Sequence, residues 1–135
     1  MSAKGQCLCG AVTLTVEDAD LEVHCCHCSM CRRWSGGPVF AVPVAQVTMQ
    51  PENQIVRYES SDWAERGFCG RCGTNLFYRL KEPDAYYLMM GLFDDPGQFK
   101  LASEIYIDNK PPGYSIAGDH PRLTEEEFLE SFQES

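Results

Sequence analysis

Positive charge is scarce in this chain. Lysine and arginine number 11 against 20 aspartates and glutamates, a formal charge of −9 over 135 residues. Nucleic acid and anionic membrane surfaces both reward positive charge, so neither is an expected partner. Long apolar runs are missing as well: nothing approaches the ~20 residues that span a bilayer. Residues 1–6 lack the apolar core of a secretory signal. A cytoplasmic location is the resulting expectation. Internal repeats, linkers and low-complexity stretches are also missing. With typical domains of roughly 150 residues, the whole chain, 1–135, is expected to form one domain. Hydrophobic residues at 44% and charged residues at 23% exclude wholesale disorder.

Helical periodicity is rare, and short alternating segments dominate. Residues 10–17 place Val12, Leu14 and Val16 on one face, the pattern of a half-buried strand. Further short strands are predicted at 21–24, 39–42, 47–49, 55–58, 65–68, 75–79, 86–91 and 103–107. Gly, Pro, Asn and Asp punctuate nearly every connection. Residues 29–35 read as a helical turn, broken by Gly36-Gly37-Pro38. Thr124-Glu125-Glu126-Glu127 is a capping box, and Phe128, Leu129 and Phe132 supply an apolar stripe behind it. The predicted fold is therefore all-β, packed antiparallel sheets with one short C-terminal helix.

What the chain does have is cysteine: eight residues, at 7, 9, 25, 26, 28, 31, 69 and 72. That is about 6% of the sequence, below the ~8–10% of a typical disulfide scaffold. Clustered thiols in a reducing compartment point to metal or redox chemistry. Phe68-Cys69-Gly70-Arg71-Cys72-Gly73 is a C-x-x-C knuckle whose glycines permit a tight turn. Structural zinc takes four ligands, and Cys7-Leu8-Cys9 is the natural partner. In an extended strand start, residues i and i+2 share a face. Cys7, Cys9, Cys69 and Cys72 are thus the candidate structural zinc site. Its apparent binding energy of about 10–16 kcal/mol compares with a net stability of about 5–15 kcal/mol for such a domain. Removing this zinc is expected to unfold the chain.

Cys26-His27-Cys28-Ser29-Met30-Cys31 forms a second, C-x-C-x-x-C cluster. Three thiolates with one open position are the pattern of a catalytic zinc, whereas Cys25, His24 or His27 at the fourth position would close it. Adjacent residues diverge in a regular backbone, which makes Cys25 the odd thiol out. A lone cysteine is commonly a small buried hydrophobe, and a redox C-x-x-C would want a βαβ context that is not seen around Cys69. His24 and His27 are candidate proton shuttles, although a histidine beside a metal cluster also serves to orient ligands. Arg32, Arg33, Arg66 and Arg71 lie nearest the cysteines in sequence. As surface charges they would be solvated or ion-paired, and that reading is favoured for most of them. Asp94 and Asp95 before Pro96 read as a turn, and Trp34 and Trp63 as core or pocket wall.

These residues resemble the glutathione-dependent formaldehyde-activating enzymes, a family that includes centromere protein V. The resemblance spans about residues 5–123. It rests on Gly5-Gln6-Cys7-Leu8-Cys9-Gly10-Ala11-Val12, on Cys26-His27-Cys28-Ser29-Met30-Cys31-Arg32-Arg33 with Ser35-Gly36, and on Arg66-Gly67-Phe68-Cys69-Gly70-Arg71-Cys72-Gly73. Gly91-Leu92-Phe93-Asp94-Asp95-Pro96 and Glu104-Ile105-Tyr106 continue it. The resemblance implies an Mss4-like fold and two zinc ions. One would be structural, on Cys7, Cys9, Cys69 and Cys72; one would be catalytic, on Cys26, Cys28 and Cys31. It implies a carbon–sulfur lyase that joins glutathione to formaldehyde, with a small thiol and a small aldehyde as partners. The two carboxylates of glutathione would call for basic groups, for which Arg32, Arg33, Arg66 and Arg71 are the nearest in sequence to the cysteines. Two departures stand out. Pro111-Pro112-Gly113-Tyr114 replaces a Pro-Trp pair common in the family, and Cys25 is an extra thiol. A zinc-stabilised scaffold without turnover, or a thiol sensor that releases zinc on oxidation, is the alternative function.

Overall fold

The small N-terminal sheet is built on the alternating segment. In the computed structural model, which describes residues 2–133, strand β2 (Thr13–Val16) lies between β1 (Ala3–Gln6) and β5 (Thr48–Gln50). Both pairings are antiparallel. Val12, Leu14 and Val16 are all buried. They pack with Val42, Val44, Leu76, Phe77 and Leu88 from a second, larger sheet.

That sheet has eight strands. They are β3 (Glu22–Cys26), β4 (Val39–Val44), β6 (Ile55–Tyr58), β7 (Ala64–Cys69), β8 (Asn75–Lys81), β9 (Asp84–Met89), β10 (Lys100–Ile105) and β11 (Arg122–Leu123). Their order is β11-β10-β3-β4-β9-β8-β7-β6. Two pairings, β3 with β10 and β10 with β11, are parallel. The expectation of purely antiparallel sheets is corrected to that extent. The long excursion from β3 to β10 is what makes parallel pairing possible, since a parallel neighbour needs a crossover rather than a hairpin.

Two α-helices and four single-turn 3-10 helices accompany the strands among the described residues. Helix α1 (Ser29–Ser35) covers the expected helical turn. Cys28 is its N-cap, and Gly36 ends it at φ 82°, donating its N–H to the Arg32 carbonyl. Helix α2 (Glu125–Gln133) starts at the capping box: the Thr124 N–H donates to Glu127 Oε1 at 2.9 Å, and the Glu127 N–H donates to Thr124 Oγ1 at 3.2 Å. Phe128 packs on Tyr106, ring centroids 5.7 Å apart. The Phe132 side chain lies outside the described residues. No helix among these residues is long and apolar enough to cross a membrane.

Strands β1 and β11 were not expected. Ala3-Lys4-Gly5-Gln6 carries no β-branched residue, so it shows no strand propensity. Its inward positions are small because a Cβ on Gly5 would stand 2.2 Å from the Leu92 carbonyl oxygen. Strand β11 has only two residues and no period to read.

Candidate metal centres and active-site cavity

The outer cysteines sit on two matching turns. Cys7 and Cys9 follow β1 in a turn, not on a strand start as the i, i+2 argument supposed. Gly10 adopts φ +80° and donates its N–H to the Cys7 carbonyl at 3.1 Å. The N–H groups of Val12 and Ala11 then reach Cys7 Sγ and Cys9 Sγ at 3.3 and 3.4 Å. Gly73 repeats the device at φ +80°, donating to the Cys69 carbonyl at 2.8 Å. The N–H groups of Arg71 and Cys72 point at Cys69 Sγ, 3.4 and 3.5 Å away. Only glycine takes this left-handed turn without strain.

All four sulfurs lie within 4.8 Å of one another. Cys7 and Cys9 are 3.6 Å apart, and Cys9 and Cys69 3.9 Å. A tetrahedral zinc with sulfur at ~2.3 Å requires edges of about 3.8 Å. The donor set and its spacing therefore fit zinc. The Thr74 hydroxyl, 3.1 Å from Cys72 Sγ, holds the Cys72 thiol down at about 5. A thiolate ligand is thereby favoured in advance.

The inner cluster is assembled by the end of β3 and the start of α1. Cys26, Cys28 and Cys31 bring their sulfurs within 4.8 Å of one another. As N-cap, Cys28 Sγ accepts from the Cys31 N–H at 3.4 Å. Hydrogen bonds from the Cys26 and Cys31 side chains hold the Cys28 thiol down at about 2, and the same contacts push Cys26 up. Three sulfurs in this arrangement fit a zinc ion with one position left open.

Arg66 closes one side. Its two Nη atoms are each 3.9 Å from Cys31 Sγ. The guanidinium is stacked between Trp34 and Tyr78, 4.9 and 4.8 Å from the ring centroids. At 4% exposure it is among the few buried charged residues of those described. Sequence reasoning named Arg66 as one of four arginines near the cysteines, favoured a solvated or ion-paired surface reading for most of the four, and did not single it out. Its signal was present in the alternation of β7, where Arg66 falls in step with buried Ala64.

Beside this cluster lies a cavity of about 540 Å³, with Cys26, Cys31, Arg66 and His24 in its lining. The His24 Nδ1 is 2.7 Å from Ser103 Oγ, which fixes the ring. Trp63 and Tyr106 also line the cavity. Tyr106 adopts φ 56°, rare for an aromatic residue.

Strand alternation separates the two histidines. His24 and Cys26 face the cavity, while Cys25 and His27 face the opposite way. His27 Nε2 lies 2.7 Å from Glu104 Oε1 and 3.6 Å from Cys25 Sγ, and all three residues are fully buried. Glu104 Oε2 is held in turn by His120 at 2.7 Å and Arg122 at 2.9 Å. Burial pushes the Glu104 carboxyl up, but the bonds from His120 and His27 and the Arg122 charge hold it below its ordinary value. Tyr114, in the Pro-Pro-Gly-Tyr segment, places its hydroxyl 3.4 Å from His27 Nδ1 rather than in the cavity lining. His27, a shuttle candidate by sequence, thus faces Cys25, Glu104 and Tyr114 rather than the cavity. Of the remaining arginines, Arg32 donates from Nε to the His27 carbonyl at 3.1 Å, and Arg33 and Arg71 are exposed.

The family model described as glutathione-dependent formaldehyde-activating enzyme matches residues 2–109, a span that holds all eight cysteines. The chain belongs to this family. It is also 33% identical over 130 residues to a protein of Schizosaccharomyces pombe named as an uncharacterized lyase, covering 95% of each chain. Among solved structures it resembles a Rhodobacter sphaeroides protein, with a TM-score of 0.55 and 20% identity. That match covers 88% of this chain and 98% of the other, and it supports the fold. Membership of the glutathione-dependent formaldehyde-activating family joins two cysteine clusters able to hold metal to a lyase-type chemistry.

Proposed function

We propose that this chain is a zinc-dependent carbon–sulfur lyase that adds a thiol such as glutathione to a small aldehyde, or releases it. The observation that carries this reading is the three-cysteine cluster bordering a cavity. Three protein thiolates leave one coordination position for a ligand, whereas the outer four-cysteine set is complete.

When bound there, zinc lowers the pKa of a coordinated thiol and makes a thiolate available at neutral pH. The chain's own residues do the rest. Three thiolates and a dication sum to −1, and the Arg66 guanidinium balances that charge beside Cys31. Trp34 and Tyr78 hold the guanidinium in place and keep water from it. His24, fixed by Ser103, stands in the cavity lining where a proton must move. In the addition direction the sulfur–carbon bond forms and the carbonyl π pair moves to oxygen. That oxygen takes up the proton the thiol gave to His24. Cleavage runs the same steps in reverse. Cys7, Cys9, Cys69 and Cys72 would hold a second, structural zinc, which would tie the N-terminal turn to the β7–β8 turn.

The test is the rate of hemithioacetal formation above the spontaneous background, with zinc-loaded protein. Acceleration that disappears in Cys28→Ser supports the reading. Rates equal to background with every thiol and aldehyde pair would leave the scaffold reading in its place.

A further inference from the structure

The cavity beside the inner cysteines has a composition that selects among substrates. Pro43, Leu80, Ile105, Leu123, Phe128 and Leu129 are among its wall residues. Among the described residues Arg66 is the one lysine or arginine in the lining, and it already faces Cys31. Among the described residues no aspartate or glutamate lines it. Glutathione carries two carboxylates and an ammonium. Those groups would meet one engaged cation and no anion, and burying them unpaired is costly. Formaldehyde would leave nearly all of the 540 Å³ unfilled. A pocket of this size, mostly apolar with a few convergent polar groups, is built for a ligand with an apolar body.

We propose that the cavity accepts an aromatic or branched aliphatic group carried by the aldehyde carbon, so that the preferred product is the hemithioacetal of an apolar aldehyde. This rests on the lyase reading above. Atoms balance as in the simple case: RSH and R′CHO give RS–CH(OH)R′, and only R′ changes. The reacting carbon sits toward Cys26, Cys31 and Arg66, with R′ against Leu80, Ile105 and Phe128. The charged parts of the thiol remain outside the apolar walls.

The experiment compares phenylacetaldehyde with formaldehyde, using one thiol, 2-mercaptoethanol, and zinc-loaded protein. Each rate is expressed as acceleration over its own uncatalysed reaction. Acceleration at least about tenfold greater for phenylacetaldehyde is expected, since a single methylene in a fitted pocket is worth that much. Ala41→Leu, which fills cavity space from β4, is expected to remove most of the preference. Leu129→Asp does the same from a half-exposed helix position whose change does not threaten folding. Equal or greater acceleration with formaldehyde overturns the inference and leaves the lyase reading intact. If neither aldehyde is accelerated, the lyase reading fails, and calorimetric binding of the unreactive 2-phenylethanol decides the pocket. Binding at least about tenfold tighter than methanol, and weakened by Leu129→Asp, supports the apolar site. No such difference overturns it.

Discussion

Arg66 holds both Nη atoms 3.9 Å from Cys31 Sγ, linking two residues 35 positions apart. The contact brings the one arginine among the described cavity residues onto the cysteine cluster. Arg66→Met is expected to leave the fold and the outer zinc in place and to lower turnover about 10- to 100-fold. A lost hydrogen bond to a charged partner is worth about 1.5–3 kcal/mol. Arg66→Lys is expected to recover little, because an ammonium cannot stack as a plane between Trp34 and Tyr78. Steady-state kinetics at saturating zinc check both variants.

The outer site joins Cys7 and Cys9 to Cys69 and Cys72 across some sixty positions. Zinc binding of about 10–16 kcal/mol exceeds most of the ~5–15 kcal/mol that such a domain retains. Strong chelation, or Cys69→Ser, is expected to unfold the chain. The readout is loss of near-UV circular dichroism, and an unchanged spectrum after complete zinc removal would refute it.

Cys25 faces Glu104 and His27, away from the inner sulfurs. Burial first, then the nearby Glu104 charge, pushes its thiol up to about 12. It is therefore a thiol at every physiological pH. In folded, zinc-loaded protein, Cys25 is expected to resist iodoacetamide at pH 8 for hours, and Cys25→Ala to keep both zincs. Mass spectrometry of the alkylated protein, with metal analysis of the variant, checks this.

Glu104 sets an acid limit. Its carboxyl titrates lower in the folded chain than in the unfolded one. Its contribution to stability is thus complete above the ordinary carboxylate value of 4.5 and is lost as pH falls through the depressed folded value. Glu104→Gln is expected to cost about 3 kcal/mol at pH 7, because His27, His120 and Arg122 lose their shared partner. The same change flattens the stability loss below pH 4.5. Urea titrations from pH 7 to pH 3 give both quantities.

The two cysteine clusters were legible in the sequence because ligand spacing is local: C-x-x-C and C-x-C-x-x-C fit their turns without tertiary help. Strand β2 was legible through its alternation. The turn at Cys7 was not, since Gly10 could mark the end of a strand or, as it does, a left-handed knuckle. The separation of His24 from His27 followed from strand alternation once β3 was known to run through Cys26. Which face held the cavity depended on the parallel β3–β10 pairing, a contact between residues almost eighty positions apart. Arg66 could not be singled out from Arg32, Arg33 and Arg71 for the same reason: its partners Trp34 and Tyr78 come from α1 and β8. The cavity wall supplied by Phe128 and Leu129 required the docking of α2, which no local pattern encodes.

The separateness of the inner metal site is decided by zinc stoichiometry on anaerobically purified protein, wild type beside Cys28→Ser. Serine is itself a good N-cap, so α1 is expected to survive the change. Two zincs per chain in the wild type, falling to one in the variant with the fold retained, is the expected result. One zinc in both samples would show that Cys26, Cys28 and Cys31 hold no stable metal, and zinc-dependent lyase chemistry at that cluster would have to be abandoned.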